Sequence, residues 1–315
     1  MKVVYIIIVA VFILSFTNDY YLIQPKGWPT KNYDFSNNRL TPAGVKLGRR
    51  LFYDKALSAD CTIACASCHK QQYAFSDSGL AASKGIGTRT STRNSMPLFN
   101  LVWAKEFMWD GGANNLEVQP LAPLTNPNEM GNTLAEVVRR LNQSTSYRRQ
   151  FRAVFGGTEI TGQHVLLALT QFLGTLVSYR TKFDSVYQDI AAVKFTEEEQ
   201  RGYALFKSNC NRCHTEPMFT NNQYEALQPP QNNANADSGR MRISGAQADF
   251  GKFKVPTLRN LVYTPPYLHN GSCSTLQAAI DAHATFGGRV LATEQQALIA
   301  FLKTLTDKKF VEEYH

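Results

Sequence analysis

The sequence predicts a mainly α-helical fold in two halves, with long ordered loops and little β-structure. Three observations lead there. Between Thr161 and Tyr179, Val165, Leu166, Leu169, Phe172, Leu173 and Leu176 recur at three- and four-residue spacing, as the buried face of a core helix requires. Helix starts are marked by capping residues at Thr41-Pro42, at Thr133 with Glu136 and at Thr196 with Glu199. The pentapeptide Cys-x-x-Cys-His occurs twice, as Cys65-Ala66-Ser67-Cys68-His69 and as Cys210-Asn211-Arg212-Cys213-His214. Each copy has a helical stretch before it and another late in its half.

After Pro42, Leu47 and Leu51 fall on one face. Thr133 opens a helix through Val137, Val138 and Leu141. The helix from Thr196 carries Tyr203, Leu205 and Phe206 and ends at the second pentapeptide. Thr293 opens a last helix through Leu298, Phe301 and Leu302. Gln228 to Asp237 is rich in Pro, Asn and Gln and reads as a surface loop. The boundary between the halves falls near Ala191–Phe195. This divides the chain into a leader or anchor over 1–24, one unit over 25–192 and another over 193–315.

Cys-x-x-Cys-His is the attachment signature of c-type haem. Two thiols at this spacing reach two vinyl groups on one edge of the porphyrin and form thioethers. The histidine that follows falls under the ring and ligates the iron. A thioredoxin-type Cys-x-x-Cys needs no histidine, and paired zinc knuckles lie far closer together than these two motifs. Cys65, Cys68 and His69, and Cys210, Cys213 and His214, therefore predict two covalent haems, each wrapped by a cytochrome c-like unit.

Of the 315 residues, 43% are hydrophobic and 18% charged, a globular composition with room for two cores. The formal charge of +8 overstates the finished protein, because each haem adds about −2 through its propionates. No Lys/Arg run suggests a nucleic-acid partner. Lys2 precedes an unbroken apolar stretch from Val3 to Leu14, the length of a signal-peptide core and short for a membrane span. No Ala-x-Ala site follows, so an uncleaved anchor is the alternative. Both imply export. Cys61 and Cys273 lie outside the haem motifs; an oxidising compartment would allow them to pair, and two separate thiols are the default.

From about Leu40 to Thr306 the sequence resembles the bacterial di-haem cytochrome c peroxidase family, which includes the MauG branch. The resemblance rests on both pentapeptides and on blocks between and after them: Arg93-Asn94-Ser95, Met108-Trp109-Asp110-Gly111, Asn126-Pro127-Asn128-Glu129-Met130, Phe253-Lys254-Val255-Pro256-Thr257-Leu258-Arg259-Asn260 and Pro266-Tyr267-Leu268-His269-Asn270-Gly271. It implies that the His69 haem is the peroxide site and that the His214 haem passes electrons to it. It implies that Trp109 lies between the haems; alone, this residue reads as a buried interface aromatic. Splitting peroxide needs a proton moved between its two oxygens, which a nearby carboxylate performs as base and then acid. A neighbouring amide steadies the charge that develops. Glu129 and Gln119 stand at the family's positions for these groups, although in isolation both read as surface polar residues. The resemblance also implies a calcium ion bound largely by main-chain oxygens and water, here at Asn94, Thr264 and Pro266; without a metal these are turn residues.

Three departures bear on function. Where many members carry a histidine that closes the peroxide site, this chain has Ile86, and no histidine lies between His69 and His164. Where the family supplies methionine to the second haem, and the MauG branch tyrosine, His283 stands. Met218 and Met241 are alternative ligands, and a surface histidine is the bland reading. Gly112 replaces an arginine common after Asp-Gly. The resemblance implies a periplasmic enzyme that reduces hydrogen peroxide with electrons from a small cytochrome c or copper protein, in a family that is often dimeric. A MauG-like oxidase of a protein substrate and a non-enzymatic di-haem electron carrier are the alternatives.

Overall fold

The computed structural model describes residues 23–190, 192–227, 236–284 and 290–313. The apolar stretch Val3–Leu14 and most of the Gln228–Asp237 loop lie outside the described residues, as does Ala191 at the expected boundary. The first half contains α1 (Pro42–Phe52), α2 (Cys65–Cys68), α3 (Leu121–Thr125), α4 (Leu134–Gln143), α5 (Thr145–Phe155), α6 (Gly162–Thr175) and α7 (Lys182–Tyr187). The second contains α8 (Glu197–Asn209), α9 (Met241–Ser244), α10 (Leu276–Ala282), α11 (Ala292–Lys303) and α12 (Lys308–Glu313). Among the described residues one antiparallel ribbon pairs β1 (Tyr224–Glu225) with β2 (Phe253–Lys254). The mainly α class with long loops is as the sequence predicts.

Helix starts follow the capping chemistry. Thr41 Oγ1 accepts the Gly44 N–H at 3.0 Å, with Pro42 as the first helical residue. Thr196 and Glu199 reciprocate: Glu199 N–H donates to Thr196 Oγ1 at 3.2 Å, and Thr196 N–H to the Glu199 carboxylate at 2.7 Å. At Thr133 only half the box forms. Thr133 Oγ1 accepts the Glu136 N–H, but the Glu136 carboxylate turns to Arg139 and Arg140. Asn132 Oδ1 takes the Thr133 N–H instead. The last long helix begins at Ala292, so Thr293 lies in its first turn rather than at its cap. α12 beyond it carries no strong sequence signal.

The two halves repeat one plan. α1 packs on α6, and α8 on α11. The helices touch where glycine removes a side chain: a Cβ at Gly48 would lie 1.9 Å from Ala168 O, and one at Gly202 1.9 Å from Ala297 O. Asn100 and Asn260, at φ 56° and 60°, each open a short 3₁₀ turn, Leu101–Trp103 and Leu261–Tyr263. Their amides donate to Leu176 O and Leu305 O, the matching ends of α6 and α11. The following turns also match. Phe107 bridges Ala113 and Tyr267 bridges Cys273, with Met108 and Leu268 at φ 68° and 70°.

The cores are interlaced. Phe183 of α7 packs with Phe206, Phe219, Leu298 and Phe301 of the second half. Phe310 of α12 packs with Phe75 and Phe99 of the first. Beside Phe183, Asp184 forms a fully buried, two-bonded ion pair with Arg259 at 2.7 and 2.8 Å. Arg259 also donates to Pro217 O at 3.0 and 2.7 Å. Each charge is paired and hydrogen-bonded, the condition for keeping it away from water.

Candidate functional site

In the first half α2 is a single turn that presents Cys65 and Cys68 and ends at His69. Ser67 Oγ accepts the Ala64 N–H at 3.0 Å and fixes the entry to that turn. His69 Nδ1 lies 3.0 Å from Phe75 O, so the ring donates there and leaves Nε2 free. Burial lowers the His69 pKa and keeps the imidazole neutral, as a metal ligand must be. In the second half His214 Nδ1 faces two carbonyls, Phe219 O at 3.2 Å and Pro256 O at 3.1 Å. Burial, and after it the neighbouring His283, bring its pKa down to about 4. Both pentapeptides thus fit covalent haem: two thiols on one turn and a buried imidazole whose free nitrogen is Nε2.

His283 ends α10 and is carried to the His214 ring, with centroids 6.4 Å apart. A metal-bound imidazole nitrogen lies about 2.0 Å from the ion with its ring centre about 1.2 Å further back, so two imidazoles across one ion have centres about 6.4 Å apart. His283 Nδ1 lies 2.7 Å from Ala279 O, which again leaves Nε2 for metal. The alternative methionines lie elsewhere. Met218 is buried among Trp28, Phe35, Val102, Trp103 and Phe107, and Met241 starts α9, whose Arg242 pairs with Asp110.

Glu129 and Gln119 belong to the segment around α3. Asn126 Nδ2 donates to the Glu129 carboxylate at 2.8 Å. Burial raises the Glu129 pKa, and the Asn126 bond partly opposes the rise. The loop that carries Ile86 joins this segment to the first pentapeptide: Cys68 Sγ lies 3.7 Å from Lys84 O. Gln119 is 8% exposed, and its side-chain amide makes no hydrogen bond among the described residues. Ile86 is fixed beside Glu129: its N–H donates to Glu129 O at 2.9 Å, and Arg89 donates to Pro127 O at 2.9 Å. A Cβ at Gly85 would come 2.0 Å from Asn128 O, so the loop lies directly on the Glu129 turn.

Trp109 sits where the halves meet. Its Nε1 donates to Asn94 O at 2.8 Å, its carbonyl accepts the Lys254 N–H at 2.7 Å, and its ring meets His269 edge-on. Asn94 N–H donates to His269 O at 2.7 Å, which brings Asn94 to the Thr264–Pro266 segment. Among the described residues Asn94 Oδ1, Thr264 O and Pro266 O accept no hydrogen bond, so this oxygen set suits a hard cation such as calcium. At Gly112 the missing arginine is balanced differently. Asp110 takes both Arg93, at 2.7 Å, and Arg242. Cys61 is exposed and Cys273 buried, and both are free thiols.

Sequence reasoning missed Asn126, the Arg259–Asp184 pair and the role of Lys254. The repeated Asn-Leu-Val at 100–102 and 260–262 is the signal that exposes the shared plan.

Paired pentapeptides on a duplicated helical plan, with a polar first site, define a di-haem c-type cytochrome with enzyme-like features. The comparisons make that specific. The di-haem cytochrome c peroxidase family matches residues 42–192. The methylamine utilization protein MauG of Methylorubrum extorquens is 35% identical over 85% of this chain and 79% of its own length. The cytochrome c551 peroxidase of Nitrosomonas europaea is 35% identical over 83% of this chain and 79% of its own. A crystal structure of a MauG-like protein associated with microbial copper homeostasis superposes with TM-score 0.81 at 30% identity, covering 92% of this chain and 97% of that one. The chain belongs to the di-haem cytochrome c peroxidase family, whose members carry two covalent c-type haems and are peroxidases or MauG-type enzymes.

Proposed function

We propose that this protein is a periplasmic cytochrome c peroxidase that reduces hydrogen peroxide to water with electrons from a small cytochrome c or copper protein. The observation that carries the reading is the difference between the two iron sites. His214 and His283 stand at the spacing that one iron between two imidazoles requires. For the first haem the chain has Ile86 where such an imidazole would come from, and the half-buried Glu129 and buried Gln119 are the polar groups we assign to it. The haems supply the redox equivalents and the electrophilic iron at which peroxide is reduced.

The residues of the chain do the rest. The ionised Glu129 carboxylate accepts a proton from peroxide and returns it to the leaving oxygen. Asn126 holds that carboxylate in place by its 2.8 Å bond. The unpaired Gln119 amide steadies the outer oxygen. Trp109, joined to Asn94 on one side and Lys254 on the other, spans the interface through which electrons pass. Asn94, Thr264 and Pro266 would hold calcium against the same interface.

Relatives include MauG proteins as well as peroxidases. His283, in place of the MauG branch's tyrosine, favours peroxide reduction. Steady-state peroxide consumption with a reduced small cytochrome c or copper protein tests this. Rapid donor-dependent turnover is expected. Electron exchange with the donor but no peroxide consumption would make the protein a carrier.

A further inference from the structure

The repeat that relates the halves also relates their contacts across the interface. The register that carries Asn100 onto Asn260 and Gly111 onto Gly271 carries Asn94 onto Lys254, Ala104 onto Thr264, Glu106 onto Pro266 and Trp109 onto His269. The hydrogen bonds obey it. Asn94 N–H donates to His269 O at 2.7 Å, and Lys254 N–H donates to Trp109 O at 2.7 Å. Each half's turn, Phe107–Ala113 and Tyr267–Cys273, therefore docks on the opposite half at matching positions.

On one side of this arrangement lie the open oxygens of Asn94, Thr264 and Pro266. On the other, Lys254 is 8% exposed and its ammonium donates to Glu106 O at 2.6 Å. Glu106 O is the repeat partner of Pro266 O. The Glu106 carboxylate, bonded to Tyr224 OH at 2.6 Å and to Arg240 at 3.1 Å, adds negative charge nearby. A buried ammonium is costly without such partners.

We propose that the Lys254 ammonium is a built-in cation of the interface, occupying the repeat counterpart of the Asn94–Thr264–Pro266 cation site and thereby positioning the Glu106–Trp109 turn. The two sides then do the same job by different means. One recruits an ion, and the other carries its charge on a side chain that no chelator removes. Lys254 is a positioning residue: its ammonium holds the Glu106 carbonyl at the start of the turn that carries Trp109, while its main-chain N–H holds the Trp109 carbonyl. The inference builds on the calcium reading above, and the test separates the two.

The decisive variant is Lys254→Asn, which copies the residue at the matching position. Calcium is counted by elemental analysis of the dialysed two-haem protein. The variant is expected to hold one calcium ion more than the wild type. An unchanged count overturns the proposal. The wild-type count independently judges the calcium reading, which fails if no ion is present. Lys254→Met keeps the length and loses the charge. It is expected to slow electron equilibration between the haems about tenfold or more after rapid one-electron reduction, because small misplacements of a reacting group carry large kinetic costs. Both haems should remain attached, and the second haem's EPR spectrum should not change. An equilibration rate equal to that of the wild type would also overturn the positioning role.

Discussion

The two halves share a plan and part at one position. In the second half the helix after the turn ends in His283, whose Nδ1 rests on Ala279 O while its ring approaches His214. In the first half the repeat partner of Ala279 is Gln119, and the chain runs on through α3 to Glu129. On the proposed reading, one scaffold supplies an imidazole to the second iron site and a carboxylate with an amide to the first. The difference teaches that the segment leaving a shared turn decides the chemistry, while the turn itself only aims it. The proximal sides agree: His69 is held by the Phe75 and Met96 backbone, and His214 by the Phe219 and Pro256 backbone.

The comparison breaks most completely if the haems are not two. Replacing Cys65 and Cys68 by alanine should remove one covalent haem by mass, and replacing Cys210 and Cys213 should remove the other. A mature chain with a single haem would end the two-site account.

Next comes the first site's chemistry. Glu129→Gln should keep both haems and lose about 10²–10⁴-fold in peroxide turnover, the usual worth of general acid–base help. Turnover near the wild-type value would remove Glu129 as the proton carrier.

The open first site makes a further claim. With Ile86 pinned beside Glu129, the fully oxidised protein should show a high-spin haem and react with peroxide on stopped-flow mixing without prior reduction. An all-low-spin ferric EPR spectrum and no reaction until one electron is added would mean that the first site closes like the second.

His283→Ala should make the second half resemble the first. Its low-spin EPR signal should disappear or change ligand set, while the signal of the first haem stays. An unchanged spectrum would remove His283 as a ligand.

The smallest effect concerns pH. Burial raises the Glu129 pKa, and the carboxylate works as a base only when ionised. Turnover should therefore fall with acidification at a higher pH than an ordinary glutamate would give. The fall should be absent from the residual activity of Glu129→Gln. A midpoint at or below the ordinary glutamate value would contradict the buried setting.

Much of this was legible in the sequence because it is local. Haem attachment needs five consecutive residues, and Thr41 and Thr196 cap helices with groups three positions away. The proposed first site was legible only through the family resemblance, since nothing near Glu129 or Gln119 in the chain marks either as a site residue. What escaped is long-range. Asp184 and Arg259 meet from distant segments, and no periodicity signals a buried charge until its partner is known. Thr133 misled in part because Arg139 and Arg140 compete for Glu136. The Lys254 contact was hidden for the same reason: Glu106 O is a main-chain atom with no sequence signature.

The interlaced cores bear on how the protein is made. Phe183 and Asp184 precede the second pentapeptide yet complete the second core, and Phe310 closes the first core from the far end of the chain. Neither half can finish its interior until nearly all of the polypeptide is present. The first pentapeptide, at Cys65 and Cys68, therefore sits in an incomplete interior until the far end of the chain has docked. The interlacing also means that cutting the gene between the halves would yield two fragments, each with a gap in its interior and one of them with an unpaired Arg259.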